Sequence, residues 1–477
     1  MTGEGGAEQA GSEEDRSGCW LTRERLVPIV VASALFMDLM DSSALAMALP
    51  TIAKHFGVSI VHLKLALTAY VVTVAVLVPT SGWLASRFGA RRVFLTAMGL
   101  FVTGSICCAF ADSVPQLVAA RVLQGFGGAM MTPVGRIILV ASVRREDLVR
   151  GMAWYTLPAI VAPVVGPPIV GLLIEFASWR WIFLINVPVG LLGMVAVFRF
   201  VAPLAGTRRP SFDFPGFLLV GGTILATMAM VETGALAGQP WPLRIAGLIG
   251  VGLIAALYFR QAMRAKEPIA DFRVLRHATL RWSLISTWLH RAALGGIMIL
   301  LPLQLQLGLG YSPLEASQVM IAAALGSMAS RFLSPIGIRR FGFRTLMLLC
   351  SGVTVVLTLI PATFSPSTPI IVMCAVMIAH AAIRASYFLA GNTLSYCDVE
   401  GEEIGHASVL FAIFQQLSLG IGFNLATHVL EAAGGPHDPA AFIWSYGAIA
   451  LLTFVGTMAI RPLPLHVGET MRYRASS

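Results

Sequence analysis

The amino-acid sequence predicts an all-α polytopic membrane protein built as two similar six-helix bundles with a two-helix hairpin inserted between them. Three observations carry that expectation. Hydrophobic residues make up 57% of the 477 residues and charged residues only 12%, about half the charged share of an ordinary soluble protein. Apolar runs of about 20 residues, the length that crosses the hydrocarbon core as a helix, recur from Leu26 almost to the C-terminus. The basic turn Arg87-Phe88-Gly89-Ala90-Arg91 also returns, as Arg340-Phe341-Gly342-Phe343-Arg344. Each copy sits in a short polar gap between two long apolar runs, as an internal duplication would place it.

The predicted spans can be taken in order. Residues 1–25 form a polar, Glu-rich tail with no apolar core or cleavage site, so no signal peptide is expected. Spans at 26–48, 63–84, 92–111, 116–139, 152–176 and 181–203 make a first bundle over 26–203. The first of these carries two acids, the fourth an arginine, and the fifth is interrupted by Pro163, Gly166, Pro167 and Pro168. Spans at 214–236 and 241–260 have no counterpart in a six-plus-six plan and read as the inserted hairpin. With the charged connection 260–279 they fill residues 204–279. Spans at 280–307, 314–335, 343–363, 369–395, 404–430 and 440–461 make the second bundle over 280–461, followed by a tail, 462–477. That is fourteen crossings with both termini cytoplasmic. In this arrangement about 24 of the 33 Lys and Arg residues fall on cytoplasmic segments and about 4 on outer loops, a strong positive-inside bias. The acidic run from Asp398 to Glu403 is also placed inside, which the rule tolerates because it counts Lys and Arg alone.

The net charge of +9 is spread over many short loops, which suits anionic lipid headgroups better than nucleic acid. The six cysteines lack metal-ligand spacing and read as small packing residues, so neither metal nor cofactor is expected. Lys54, Lys64 and Lys266 are the only lysines and none follows a glycine, which excludes a P-loop and direct ATP drive. HExxH and GxSxG are absent, so the common hydrolase signals are missing and a transporter is expected rather than an enzyme.

Four segments resemble the major facilitator superfamily, and within it the fourteen-span drug:proton antiporters of the EmrB and QacA type. Phe36-Met37-Asp38-Leu39-Met40-Asp41-Ser42-Ser43 with Ala48-Leu49-Pro50 is similar to the family's LDxTIxNxALP stretch. Gly82-Trp83-Leu84-Ala85-Ser86-Arg87-Phe88-Gly89-Ala90-Arg91-Arg92 resembles its loop between the second and third spans. Arg121-Val122-Leu123-Gln124-Gly125-Phe126-Gly127-Gly128 resembles its RxxQGxGgA motif. Val165-Gly166-Pro167-Pro168-Ile169-Val170-Gly171 is similar to its antiporter motif GPxxGG, and Trp179-Arg180-Trp181-Ile182-Phe183-Leu184-Ile185-Asn186-Val187-Pro188-Val189-Gly190 follows. The look is closest to the MdtD and HsrA-like members. Ser86 stands where the family loop is acidic, Val170 where its antiporter motif has glycine, and Asp38 adds a second acid. The resemblance implies a major facilitator fold, alternating access by rocking halves, a bacterial inner-membrane location and, for EmrB-type pumps, docking on a periplasmic adaptor protein.

Asp38 and Asp41 are the acids well inside an apolar span. An ionised carboxylate at that depth is costly, so such groups face a cavity, pair or protonate. Their i, i+3 spacing puts both on one helix face, where two carboxylates raise each other's proton affinity. Asp41 is the first candidate proton carrier, sharing the proton with Asp38, and Arg121 is the partner, because the resemblance makes the first and fourth spans neighbours. Gln124 lies on the same face as Arg121. A static ion pair is the competing reading. His290, Arg291, Gln304, Met37 and Tyr70 are candidate lining residues of a substrate cavity, His290 as the possible repeat partner of Asp38. Met in a span more often simply packs. Arg136, Arg331 and Arg384 also fall in spans. Gly82, Arg87, Gly89, Arg91, Arg92, Arg340, Gly342 and Arg344 form the paired basic turns, with Arg87 and Arg340 able to brace the halves in one state or merely to set topology. Gly166, Pro167 and Gly171 are expected to bend and seal the fifth helix. The reading is a proton-coupled antiporter that exports small amphipathic compounds; its rival is a permease taking up a small metabolite.

Overall fold

The structure, a computed structural model, describes residues 23–143, 148–203, 211–232, 241–265, 268–399 and 403–464. Residues 1–22 and 465–477 of the predicted tails, Cys19, Lys266, Glu267 and residues 400–402 of the acidic run lie outside the described residues. Those described form helices and turns throughout. The long helices are α1 (Arg23–Phe56), α2 (Leu65–Phe88), α3 (Ala90–Ala109), α4 (Val114–Ser142), α5 (Leu148–Phe176) and α6 (Trp181–Phe200). After them come α7 (Phe214–Glu232), α8 (Trp241–Ala262), α9 (Ala278–Gly308), α10 (Pro313–Leu359), α11 (Ile370–Ser395), α12 (Glu403–Ala432) and α13 (Pro439–Met458). Twelve helices among the described residues are long and apolar enough to cross a membrane, against the fourteen expected; α5 carries a shorter apolar stretch, Val165–Phe176.

One of the two missing from the count is α5; the other has a local cause in α10. Its run of 47 residues contains Gly342 at φ 74° and ψ 170°, which no helix accommodates. Gly337 lies against the side chain of Leu346, nine residues on, whereas a straight helix would separate the two by about 13 Å. The chain therefore folds back at the second copy of the basic turn. The first copy turns the same way, with Gly89 at φ 87° between α2 and α3. Left-handed backbone is what glycine tolerates and other residues resist, so Arg-Phe-Gly-x-Arg is a turn sequence with the glycine as its pivot.

Helix starts are equally local. Ser113, Ser312 and Asp438 each accept a backbone N–H at the start of α4, α10 and α13, and a proline follows within the first turn. At Ser312 the Glu315 side chain bonds back to the cap at 2.9 Å, completing a capping box. These three starts lie at the end of the bundle where α1 finishes, here the apical end; α1 begins at the basal end.

Small residues set the close crossings. A Cβ on Gly104 of α3 would sit 2.6 Å from the Gln124 backbone of α4, and one on Gly422 of α12 would run into the Ala292 carbonyl of α9. Helices α1–α6 pack on one another, as do α9–α13, and the two groups meet where α5 packs on α10, α2 on α12 and α1 on α9. The pair α7 and α8 lies outside that seam: Val220, Ile224 and Met228 of α7 are buried in one cluster with Val72 and Ala75 of α2 and with Leu410 and Ile413 of α12.

Candidate functional site

Asp41 lies on α1 at mid-length, 2% exposed, and Arg121 on α4 is fully enclosed. Arg121 Nη1 donates to Asp41 Oδ2 at 2.5 Å and to Gln124 Oε1 at 2.6 Å, while its Nε donates to the Ala66 carbonyl of α2 at 3.3 Å. Gln124 Nε2 donates to Asp41 Oδ1 at 2.8 Å and to Ser105 Oγ of α3 at 2.9 Å. Asn186 Nδ2, at the turn that starts α6, reaches Asp41 Oδ1 at 3.4 Å. One carboxylate thus accepts from three donors and ties α1 to α4 and α6. A buried charge pair survives only when its remaining polar atoms are also satisfied, and the surrounding amides meet that need for the carboxylate.

Asp38, one turn earlier, is in a different position. It is half-buried, and its Oδ1 accepts a short hydrogen bond from the Tyr70 hydroxyl of α2. The Tyr70 ring in turn lies under the Arg121 guanidinium, 4.4 Å from ring centroid to charge, at cation–π distance. Tyr70 therefore touches both groups. Its hydroxyl reaches Asp38 because position 128 is glycine: a Cβ there would overlap the Tyr70 oxygen. The Gln-Gly-x-Gly-Gly run of α4 thus supplies the polar group at Gln124 and the clearance at Gly128.

The other candidates divide between the two bundles. Met37 packs, fully enclosed, against the space left by Gly190 of α6. His290 Nδ1 donates to the Ser286 carbonyl at 2.9 Å, leaving Nε2 to accept from the Ser351 hydroxyl at 2.6 Å. Its ring stacks on Tyr387 of α11 with centroids 3.9 Å apart. Arg291 is half-buried beside it. Gln304 donates to the Pro361 carbonyl at 2.7 Å and accepts from Tyr446 at 3.0 Å, closing the apical end of the second bundle.

The motif residues take up structural positions. Gly166 faces Ser43 of α1, and Gly171 packs within 3.1 Å of Pro313 and Leu314 of α10, so two antiporter-motif glycines hold α5 between the bundles. Pro167 and Val170 are buried. Gly82 is exposed with open space around it, and Arg87 and Arg92 are exposed. Arg91 donates to the Phe198 carbonyl in the last turn of α6, and Arg344 donates to the Arg461 carbonyl just past α13 at 2.9 Å. The repeated arginine thus caps the sixth helix of its own bundle twice over, a use of cations that carbonyl-rich helix ends favour. Among the described residues Arg340 lies over the ring of its neighbour Phe341 at 5.6 Å, a contact within its own half.

Sequence reasoning missed Lys64. It is fully enclosed at the apical start of α2, and its Nζ donates to Asn424 Oδ1 at 2.7 Å and Thr427 Oγ1 at 3.0 Å on α12. The available signal was a lysine opening an apolar run in a chain with three lysines. Between α9 and α1, Gln306 donates to the Met47 carbonyl at 3.0 Å. A cleft of about 280 Å³ opens at the same end, lined by Lys54, Ile60, Leu303, Thr427, Glu431 and His437 among others.

Comparison with known proteins agrees with this architecture. The proteins named as multidrug resistance protein MdtD from Klebsiella pneumoniae subsp. pneumoniae and from Escherichia coli strain K12 are each 36% identical to the chain. The first match covers 92% of this chain and 95% of the relative, the second 89% and 91%. Among solved structures, the human organic anion transporter MFSD10 superposes with a TM-score of 0.61 at 16% identity, covering 92% of this chain and all of the other. A peptide transporter POT in complex with sulfate gives 0.65 at 16%, covering 91% and 94%; at such identity the likeness is one of fold. The family model described as Major Facilitator Superfamily matches residues 31–423, the stretch that contains the paired basic turns, the Asp41–Arg121 site and the α5 glycines, and the chain belongs to that superfamily.

Proposed function

We propose that this chain is a proton-coupled exporter of small amphipathic compounds, a multidrug-type efflux pump of a bacterial inner membrane that works by alternating access. The observation that carries the reading is the contrast between two carboxylates one helical turn apart. Asp41 is held by Arg121, Gln124 and Asn186, and losing its charge would leave a guanidinium buried without a counter-ion. Asp38 has one neutral donor, Tyr70, and an open side. Asp38 is therefore the group that exchanges a proton with the path, and the Asp41–Arg121 pair is the fixed charge beside it. A proton arriving at Asp38 removes its claim on the Tyr70 hydroxyl, and Tyr70 passes that change to Arg121 through its ring. Movement of α1 against α2 and α4 would follow. One charge carried across 100 mV supplies about 2.3 kcal/mol, enough to work against a modest substrate gradient.

The same proposal has fourteen crossings. It counts α10 as two, divided at Gly342, and includes α5, whose 29 residues span about 43 Å as a helix. An even count returns both tails to the basal side, where the arginines of the turns gather, and makes that side cytoplasmic. Residues 26–203 and 280–461 are then the rocking units, with 204–279 as an insert. The names of the MdtD relatives support export rather than uptake, and docking on a periplasmic adaptor belongs to the proposal through the family resemblance.

The test is proton flux in inside-out vesicles challenged with a lipophilic cation, a neutral drug and an organic anion, for wild type, Asp38→Asn and Asp41→Asn. Discharge of the gradient by at least one compound with the wild type, and by none with Asp38→Asn, is expected. Uptake of a metabolite by energised cells, with no compound discharging the gradient, would replace export by the permease reading.

A further inference from the structure

Two arginines stand in the middle of the second bundle with nothing to neutralise them. Arg291 lies near mid-length of α9 and Arg384 near mid-length of α11. Neither makes a hydrogen bond or ion pair among the described residues, and the Nε of each is buried without a partner. Every Asp and Glu of α9–α13 lies near a helix end: Glu315, Glu403 and Glu431. Two like charges thus share one level of the bundle interior, where an uncompensated charge is costly.

The crossing of α9 and α11 places both near it. Thr287 of α9 packs into the space left by Gly391 of α11. Towards the apical end, one turn on along each helix, His290 stacks on Tyr387, and the Tyr387 hydroxyl bonds Ser286 at 2.6 Å. Arg291 is one turn from Thr287 on the same face of α9, and Arg384 is one turn from Tyr387 on α11. Both arginines therefore lie within about a turn of the His290–Tyr387 stack, Arg384 on its apical side, and both remain partly exposed. Helix α9 is enclosed by α12, α13, α11 and α1, so that exposure opens between the bundles rather than to lipid. The site has two guanidinium forks, both donors only. Planar forks of this kind match paired oxygens of a carboxylate or a related oxyanion.

We infer that Arg291 and Arg384 form an anion-binding site in the second bundle, and that the compounds carried are amphipathic organic anions whose acidic group is seated there. The inference rests on the transport reading above and deepens it: lipophilic cations, the commonest probes of drug efflux, meet an uncompensated positive field at this level. A carboxylate supplies the missing counter-charge, while its apolar body is left to the surrounding side chains.

The test is equilibrium binding to the purified full chain, followed by intrinsic tryptophan fluorescence, with 1-naphthoate, its uncharged amide, tetraphenylphosphonium and inorganic phosphate as probes. The proteins are wild type, Arg291→Gln, Arg384→Gln, and Arg291→Lys as a charge-retaining control, each checked for its unfolding transition. Expected is binding of 1-naphthoate but not of the amide, weakened about tenfold or more by either glutamine variant and less by the lysine variant. Phosphate binding as tightly as naphthoate, with the same arginine dependence, would assign the site to a free oxyanion and overturn the organic-substrate half of the inference. Equal affinity for naphthoate and its amide, or unchanged binding in both glutamine variants that unfold as the wild type does, overturns the site itself. Transport separates the two levels. Proton-coupled export of tetraphenylphosphonium without naphthoate binding sinks the anion site and leaves export standing, whereas arginine-dependent naphthoate binding without any export does the reverse.

Discussion

Asp41→Asn is the substitution whose consequences the structure defines most closely. Asparagine keeps the shape and one carbonyl oxygen, so the contacts to Gln124 and Asn186 can be largely rebuilt. What disappears is the charge opposite Arg121, which is fully enclosed and whose remaining partners are Gln124 Oε1 and the Ala66 carbonyl. Breaking one side of a buried pair typically costs about 3–5 kcal/mol, because the surviving charge stays desolvated. The low end, about 3 kcal/mol, is expected here, since two neutral acceptors and the Tyr70 ring persist. Arg121→Met should cost a similar amount by leaving the carboxylate to its amide donors. The double variant removes both charges and should lose about 2 kcal/mol less than the two single losses summed, because no orphan charge remains. The assay is denaturant unfolding of the four proteins in one detergent, read as a double-mutant cycle. Additive losses within about 0.5 kcal/mol would refute the pairing as an energetic unit, whatever the transport activities.

Three further outcomes follow from named contacts. Gly128→Ala should displace Tyr70 from Asp38 and lower coupled transport as far as Tyr70→Phe does; a Gly128→Ala protein with wild-type flux would show that the Tyr70–Asp38 bond has no role in coupling. Lys64→Met removes two charge-assisted hydrogen bonds between α2 and α12, each worth about 1.5–3 kcal/mol. Spin labels at Val58 and His437 should then report a larger apically open population, and an unchanged distance distribution counts against Lys64 as a latch. At the basal end, outside the spans, Glu403 is bonded to His277 at 2.9 Å and to Arg276 at 2.6 Å, and the His277 bond, with Arg276, holds its carboxyl below the usual carboxylate range. A depressed carboxyl contributes stability above its ordinary pKa and loses it as pH falls through the lowered value. Amide exchange in 272–276 should therefore quicken on acidification below about pH 4.3 and in Glu403→Gln already at neutral pH; identical protection in wild type and variant would remove this clamp.

Much was legible before any coordinates, because some constraints act along the chain. Apolar runs must match the membrane, so their placement located long helices, twelve of which among the described residues are long and apolar enough to cross it. The basic turns declared themselves by recurrence, and their glycines proved to be the residues that need left-handed backbone, at φ 87° and 74°. Asp38, Asp41 and Arg121 stood out because charge at membrane depth is costly wherever it occurs. What the sequence could not disclose was which side chain meets which across helices. Asp38 and Asp41 share a helix face, yet tertiary packing gave one a fixed guanidinium and the other a phenol, by placing Gly128 opposite Tyr70. Gln304 read as cavity lining and became an apical tie; Lys64 read as one of three lysines and became a bond between bundles. Arg87 and Arg340 offered a brace between halves in the pattern, whereas the contacts the fold makes are those of Arg91 and Arg344, each on a carbonyl at a helix end in its own half. Hydropathy and local turn chemistry depend on neighbours in sequence, so one chain determines them by itself. Pairing at mid-membrane depends on helix rotation, set by where glycines allow backbones to meet, and only the tertiary structure decides that.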